Sequence, residues 1–108
     1  MVHQYQGPYT YNQKIVSDWD STAIGVYYCG YVNNYSGSLK PLYIGKGTGD
    51  GGMRVRLFDH LQNENWSDAT HFGYCVCDTV KEAEDFEVAE INRCAPKYNQ
   101  VGKSNRIW

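Results

Sequence analysis

The chain has 108 residues, enough for one domain with a hydrophobic core and too few for two ordinary ones. Its formal charge is -2 and its pI about 5.8, which argues against a protein that holds a polyanion by bulk charge alone. No apolar run approaches a membrane span, and Met1-Val2-His3-Gln4-Tyr5 lacks the basic and apolar regions of a signal peptide, so a soluble, intracellular, cytoplasmic protein is expected.

Residues 1–22 are polar and rich in Tyr and Gln, with Gly7-Pro8 as an early breaker. They read as an arm that adds at most one short strand near Tyr9 to Val16, ahead of a domain over residues 23–108. The run from Ile24 to Val32 is aromatic and β-branched and predicts a strand. Asn33 to Ser38 is a turn-forming loop, and Leu39 to Lys46 returns as the second strand of a hairpin. A glycine-rich stretch, Gly45 to Gly52, then gives way to the helical period of Val55, Leu57, Phe58 and Leu61, ending near Asn63. A third strand is expected over Thr70 to Cys77. Asp78 or Thr79 caps a second helix running to about Cys94, which Pro96 stops, and the tail from Tyr98 to Trp108 is loop or a short strand. This β-β-α-β-α order predicts an α+β domain, an antiparallel sheet with helices packed against it.

In a reducing compartment Cys29, Cys75, Cys77 and Cys94 are expected as free thiols. Cys75, Cys77, Cys94 and His71 invite a zinc reading, but no CxxC knuckle is present and buried thiols are favoured.

Candidate chemistry gathers on four elements. Alternation places Tyr27, Cys29 and Tyr31 on one face of the first strand, and Tyr43 and Gly45 on one face of the second. Pairing that sets Tyr27 and Tyr43 on the same side brings two phenols over one patch, where Gly45 leaves room for a ligand backbone; ordinary cross-strand aromatic packing is the alternative. On the first helix Arg56 and His60 are four apart and share a face, whereas Arg54 is displaced by about 200° from Arg56. The guanidinium fork of Arg56 suits a phosphate. On the second helix Val80, Ala83, Ile91 and Cys94 form an apolar stripe with Glu87 near its centre and Glu84 and Glu90 at its edges. A carboxylate facing the sheet there must pair with Arg56 or a lysine, be protonated, or hold a metal.

Gly25-Val26-Tyr27, Tyr43-Ile44-Gly45-Lys46, Arg56 to His60, Glu87 and Pro96-Lys97-Tyr98-Asn99 follow one another in the order of the five motifs of GIY-YIG nucleases. Over about residues 24 to 100 the chain resembles that family. The spacing from Glu87 through Pro96 to Asn99 is similar to that of the bacterial excision-repair nuclease domain. The Arg followed four residues later by His resembles the homing-endonuclease version. The loop between the two strands is longer than usual and Gly47 to Gly52 adds residues before the arginine, which keeps Arg54 as a competitor for its place.

The resemblance implies a compact three-stranded sheet flanked by helices and a divalent-metal-dependent DNA endonuclease. One Mg²⁺ or Mn²⁺ ion would sit on Glu87, and hydrolysis of the phosphodiester would leave a 5′-phosphate and a 3′-hydroxyl. Within it Arg56 neutralises phosphate charge and Tyr27 is the general base, with Tyr43 orienting water and Lys46 lowering a phenol pKa. His60 is the rival base. Gly45, Lys46, Arg54 and Asn99 stand on the substrate side, Asn99 also fixing the site's backbone. The partner is DNA, with specificity supplied by the domain itself, by self-association or by another protein. A non-catalytic nucleic-acid-binding module on the same fold is the alternative.

Overall fold

The computed structural model describes residues 1–19, 23–62 and 68–99, without the side chains of Gln13, Ser17, Asp18, Leu61 and Gln62. Its elements are β1 (Gln6–Thr10), α1 (Gln13–Asp18), β2 (Gly25–Val32), β3 (Leu39–Gly47), α2 (Gly52–Gln62), β4 (His71–Val76) and α3 (Val80–Cys94). The strands form one sheet in the order β1-β4-β2-β3, with every neighbouring pair antiparallel. The domain is therefore α+β, but its sheet has four strands where three were expected. The expected helix end near Asn63, the Leu61 side chain and the tail beyond Asn99 lie outside the described residues.

The fourth strand comes from the N-terminal segment, earlier than the stretch near Tyr9 to Val16. Gln6 pairs with Tyr74 and Tyr9 with Phe72, with a register shift between them. Pro8 is tolerated because β1 is an edge strand, where a missing N–H breaks no ladder. Tyr9 adds ring contacts to Phe72 and Tyr74, centroids 5.6 and 6.1 Å away. The strand cannot continue to Val16, because the Asn12 side chain caps α1 by accepting from Ile15 N at 2.9 Å.

Alternation along β2 sends its side chains into two cores. Tyr27 and Cys29 join Tyr11, Val16, Met53, Leu57 and Phe72 on the α1–α2 face. Val26 and Tyr28 join Ile44, Cys75, Cys77 and Ala83 on the α3 face. Helices thus cover both sides of the sheet, which explains why β2 is buried along six consecutive residues. The four cysteines are free thiols, three of them buried in these cores.

Two boundary details position the site. Thr79 caps α3, its hydroxyl accepting from Glu82 N at 3.1 Å, and Ala95 ends the helix in the left-handed region at φ 46° just before buried Pro96. A Cβ on Gly47 would lie 2.4 Å from Met53 Cα and 2.5 Å from its nitrogen, so only glycine lets the end of β3 meet the start of α2 this closely. No helix among the described residues is long and apolar enough to cross a membrane.

Candidate active site

The β2–β3 register pairs Tyr27 with Gly45 and Cys29 with Tyr43, which sets both tyrosines on one face of the hairpin. Their ring centroids are 6.3 Å apart at 37°. From one side of the sheet α2 contributes Arg56, and from the other α3 contributes Glu87. Both reach edge strand β3, and the result is a cleft of about 460 Å³ lined by Tyr27, Tyr43, Lys46, Thr48, Gly49, Arg56 and Glu87. Five residues singled out from sequence therefore meet in one place.

Their environments differ in ways that assign chemistry. Tyr27 has no exposed surface, and its hydroxyl lies 3.0 Å from His60 Nε2. Burial pushes that phenol far above its ordinary pKa, and neighbouring Tyr43 and Cys29 add to the rise against the opposing pull of Arg56. Tyr43 is raised in the same direction, by burial first and by the charge of Glu87 second. His60 is lowered from 6.5, mainly by burial and then by the Arg56 guanidinium, so the imidazole is neutral at pH 7. In the tautomer with its proton on Nδ1, His60 accepts the Tyr27 O–H. Its ring also lies edge-on to Tyr43, with centroids 5.4 Å apart.

Lys46 does not serve to lower a phenol pKa. It faces the opposite side of β3 from Tyr43 and Gly45, and its Nζ lies 3.3 Å from Glu87 Oε1. Glu87 is only 17% exposed, and the lysine answers the requirement that an inward carboxylate be compensated.

Gly45 also differs from its expected use. A Cβ there would stand 2.6 Å from the Tyr27 hydroxyl oxygen, 2.7 Å from Cζ and 2.8 Å from Tyr43 Cε2. The space that the glycine leaves holds the protein's own phenols rather than a ligand backbone. Asn99 works behind the cleft: its Oδ1 accepts from Ile44 N at 2.8 Å and its Nδ2 donates to Ile44 O at 2.9 Å. Both ends of that amide are committed to the residue between Tyr43 and Gly45, which makes Asn99 a positioning residue for β3. Arg54 is not in this cleft; it lines a separate hollow with Val55, Phe58 and Asp59.

Among the described residues Glu87 is the one acidic side chain lining the cleft, alongside phenols, a guanidinium and the ammonium of Lys46. The oxygen donors there, the Glu87 carboxylate and the phenols, fit a hard divalent ion that keeps most of its coordination for water and substrate oxygens. Among the described residues no three His, Cys, Asp or Glu side chains gather as a protein-only metal cage. Thr48 and Gly49 also line the cleft; the sequence signal for them was the glycine-rich stretch itself, which reads as a connection rather than as a wall. Searches for a matching protein family, a similar curated protein and a similar solved structure each find no match.

Proposed function

We propose that the chain is a GIY-YIG-type endonuclease that hydrolyses a DNA phosphodiester at the Tyr27–Tyr43–Arg56–Glu87 cleft. The observation that carries this reading is the convergence of a partly buried carboxylate, a guanidinium and two phenols from four different elements on one strand edge. A structural Glu-Arg pair would account for two of these groups but leaves the phenols unexplained, and Glu87 in fact takes Lys46 as its partner.

The scissile phosphate sits between Arg56 at the exposed side of the cleft and Glu87 on the other. Arg56 neutralises charge growing on the non-bridging oxygens, and Lys46 adds positive charge beside the carboxylate. Glu87 would hold the Mg²⁺ or Mn²⁺ ion, which when bound supplies Lewis-acid polarisation of the phosphate and stabilises the leaving 3′ oxygen. Attack of water in line breaks the P–O3′ bond. With substrate bound and a water admitted to the Tyr27 oxygen, which has no exposed surface in the free protein, the water proton passes to that oxygen as the Tyr27 proton passes to His60 Nε2, so no free phenolate forms. This relay answers the high pKa of Tyr27, which forbids it as an independent base at neutral pH. Tyr43 orients the water. The leaving 3′ oxygen takes up a proton from bulk water, and a 5′-phosphate and a 3′-hydroxyl result.

Incubating supercoiled plasmid with the protein and Mg²⁺ or Mn²⁺ tests the reading. Nicking that disappears in Glu87→Gln supports it. Retained DNA binding without any nicking by wild type would replace it with a non-catalytic binding module.

A further inference from the structure

A second cavity lies beside α3 on the sheet face away from α2, with a volume of about 510 Å³, inside the usual range for small-ligand sites. Its lining is largely apolar and includes Tyr5, Pro8, Leu39, Pro41 and Phe86. Its polar floor is a built one. Glu90 is only 8% exposed; its Oε1 accepts from the Tyr28 hydroxyl at 2.7 Å and from Arg93 Nη2 at 2.8 Å, and its Oε2 accepts from Arg93 Nε at 2.7 Å. The proposed cleavage mechanism uses none of these groups.

The Arg93 fork demonstrates what the carboxylate can recognise, since two parallel N–H donors meet two acceptor oxygens. Arg93 itself is 67% exposed, so water can solvate the guanidinium if it swings outward. Glu90 remains held by Tyr28 and presents the same acceptor pair to the cavity. Among the four DNA bases only guanine carries two adjacent N–H donors, N1 and N2, on its pairing edge. Adenine presents one donor beside one acceptor, cytosine one donor beside two acceptors, and thymine one donor between two acceptors. The Tyr5 and Phe86 rings in the lining suit the π-face of such a base.

The location fits a nucleic-acid role. Phe86 and Glu90 line this cavity while Glu87, between them on α3, lines the proposed cleavage cleft. Glu87 and Glu90 are separated by about 4.5 Å along the helix axis. On β3, Pro41 belongs to one cavity and Tyr43 to the other, a step of roughly two nucleotides at stacked spacing. We infer that this cavity takes an unpaired guanine base, held edge-on by Glu90 and enclosed by Tyr5, Phe86, Pro8 and Pro41. In its biological sense the inference rests on the nuclease reading, because it makes the enzyme one that prefers an extruded or single-stranded guanine next to the cut.

Titration of the ¹⁵N-labelled full chain with dGMP, dAMP, dCMP and dTMP tests it without any cleavage. Saturable shifts at Leu39, Cys75 and Phe86 are expected with dGMP, at an affinity roughly tenfold or more above the other three nucleotides. Glu90→Gln, which offers one acceptor and one donor, should lose that preference and favour dAMP or dCMP instead. Because Glu90→Gln also disturbs a buried network, Ser38→Trp at the exposed rim gives an independent block and should weaken dGMP roughly tenfold or more. Glu87→Gln should bind dGMP as wild type does, so loss of nicking and loss of base binding are separable. Absence of saturable dGMP shifts at millimolar concentration, equal response to all four nucleotides, or unchanged binding in Ser38→Trp would each overturn the inference, whatever the plasmid assay gives.

Discussion

Gly45→Ala is the substitution with the sharpest consequence. The added methyl carbon would enter at 2.6 to 2.8 Å from Tyr27 and Tyr43 ring and hydroxyl atoms, where ordinary contact begins at 3.4 Å. Tyr27 cannot withdraw inward, because it is fully buried against Met53, Leu57 and Phe72 in the same core. The phenol must therefore move by roughly an ångström or the strand must bend, an overpacking cost of about 1–3 kcal/mol. For a domain of this size that lowers Tm by about 4–8 °C per kcal/mol. The same displacement breaks the 3.0 Å contact with His60, and a misplacement of about 1 Å costs on the order of 10² in rate. Thermal melting and plasmid nicking on one preparation read the two effects separately. A variant that melts with wild type and nicks at the wild-type rate would show that the Tyr27 phenol does not rest against the residue 45 backbone, and the site geometry built on it would fail.

Further outcomes follow from the same geometry. Glu87→Gln should reduce nicking by on the order of 10²–10³ while melting within a few degrees of wild type, because the partly exposed Lys46 pair contributes at most about 1 kcal/mol. The nicking rate should rise with pH and level off near or below pH 6.5, since the depressed His60 accepts a proton only once it is neutral; a rate still climbing steeply above pH 8 would point to phenolate instead. Asn99→Ala should accelerate hydrogen exchange at the Ile44 amide and cost about 1–2 kcal/mol, measured by exchange and urea unfolding. Tyr28→Phe should destabilise by about 1–3 kcal/mol, since a buried carboxylate loses a donor. Glu90 is held below its ordinary pKa chiefly by Arg93, so its contribution to stability is present above the ordinary carboxylate range and is lost as pH falls from that range through the depressed folded-state value; acid unfolding of Arg93→Ala should begin at higher pH.

The central hairpin, β4 and α3 were readable because each carries a local signal that survives tertiary context: aromatic and β-branched runs for Ile24–Val32 and the Thr79 cap for α3. An accessory strand was legible in the N-terminal segment but not its place, because Gly7-Pro8 reads as a breaker and only pairing with β4, some 65 residues away, sets β1 at Gln6–Thr10. The helical stripe of α3 was read with a small error of phase. Val80, assigned to the stripe, is 41% exposed, while Glu90, assigned to the edge, is the most buried carboxylate of the helix. Its depth depends on Tyr28 reaching across from β2, a contact that no periodicity encodes. In the cleft the residue types were legible and their partners were not. That Lys46 would go to Glu87 and Tyr27 to His60 depends on α2 and α3 meeting β3 from opposite faces.

The outer strands bear on how two copies of this chain could meet. At β3 the Asn99 amide occupies both backbone groups of Ile44, and at β1 a proline interrupts the run of N–H donors. Joining of two sheets into a continuous ribbon is obstructed at each border. If the proposed nuclease cuts both strands of a duplex with two molecules, they would have to associate through side chains or through the nucleic acid itself, leaving the proposed cleft at each β3 edge open.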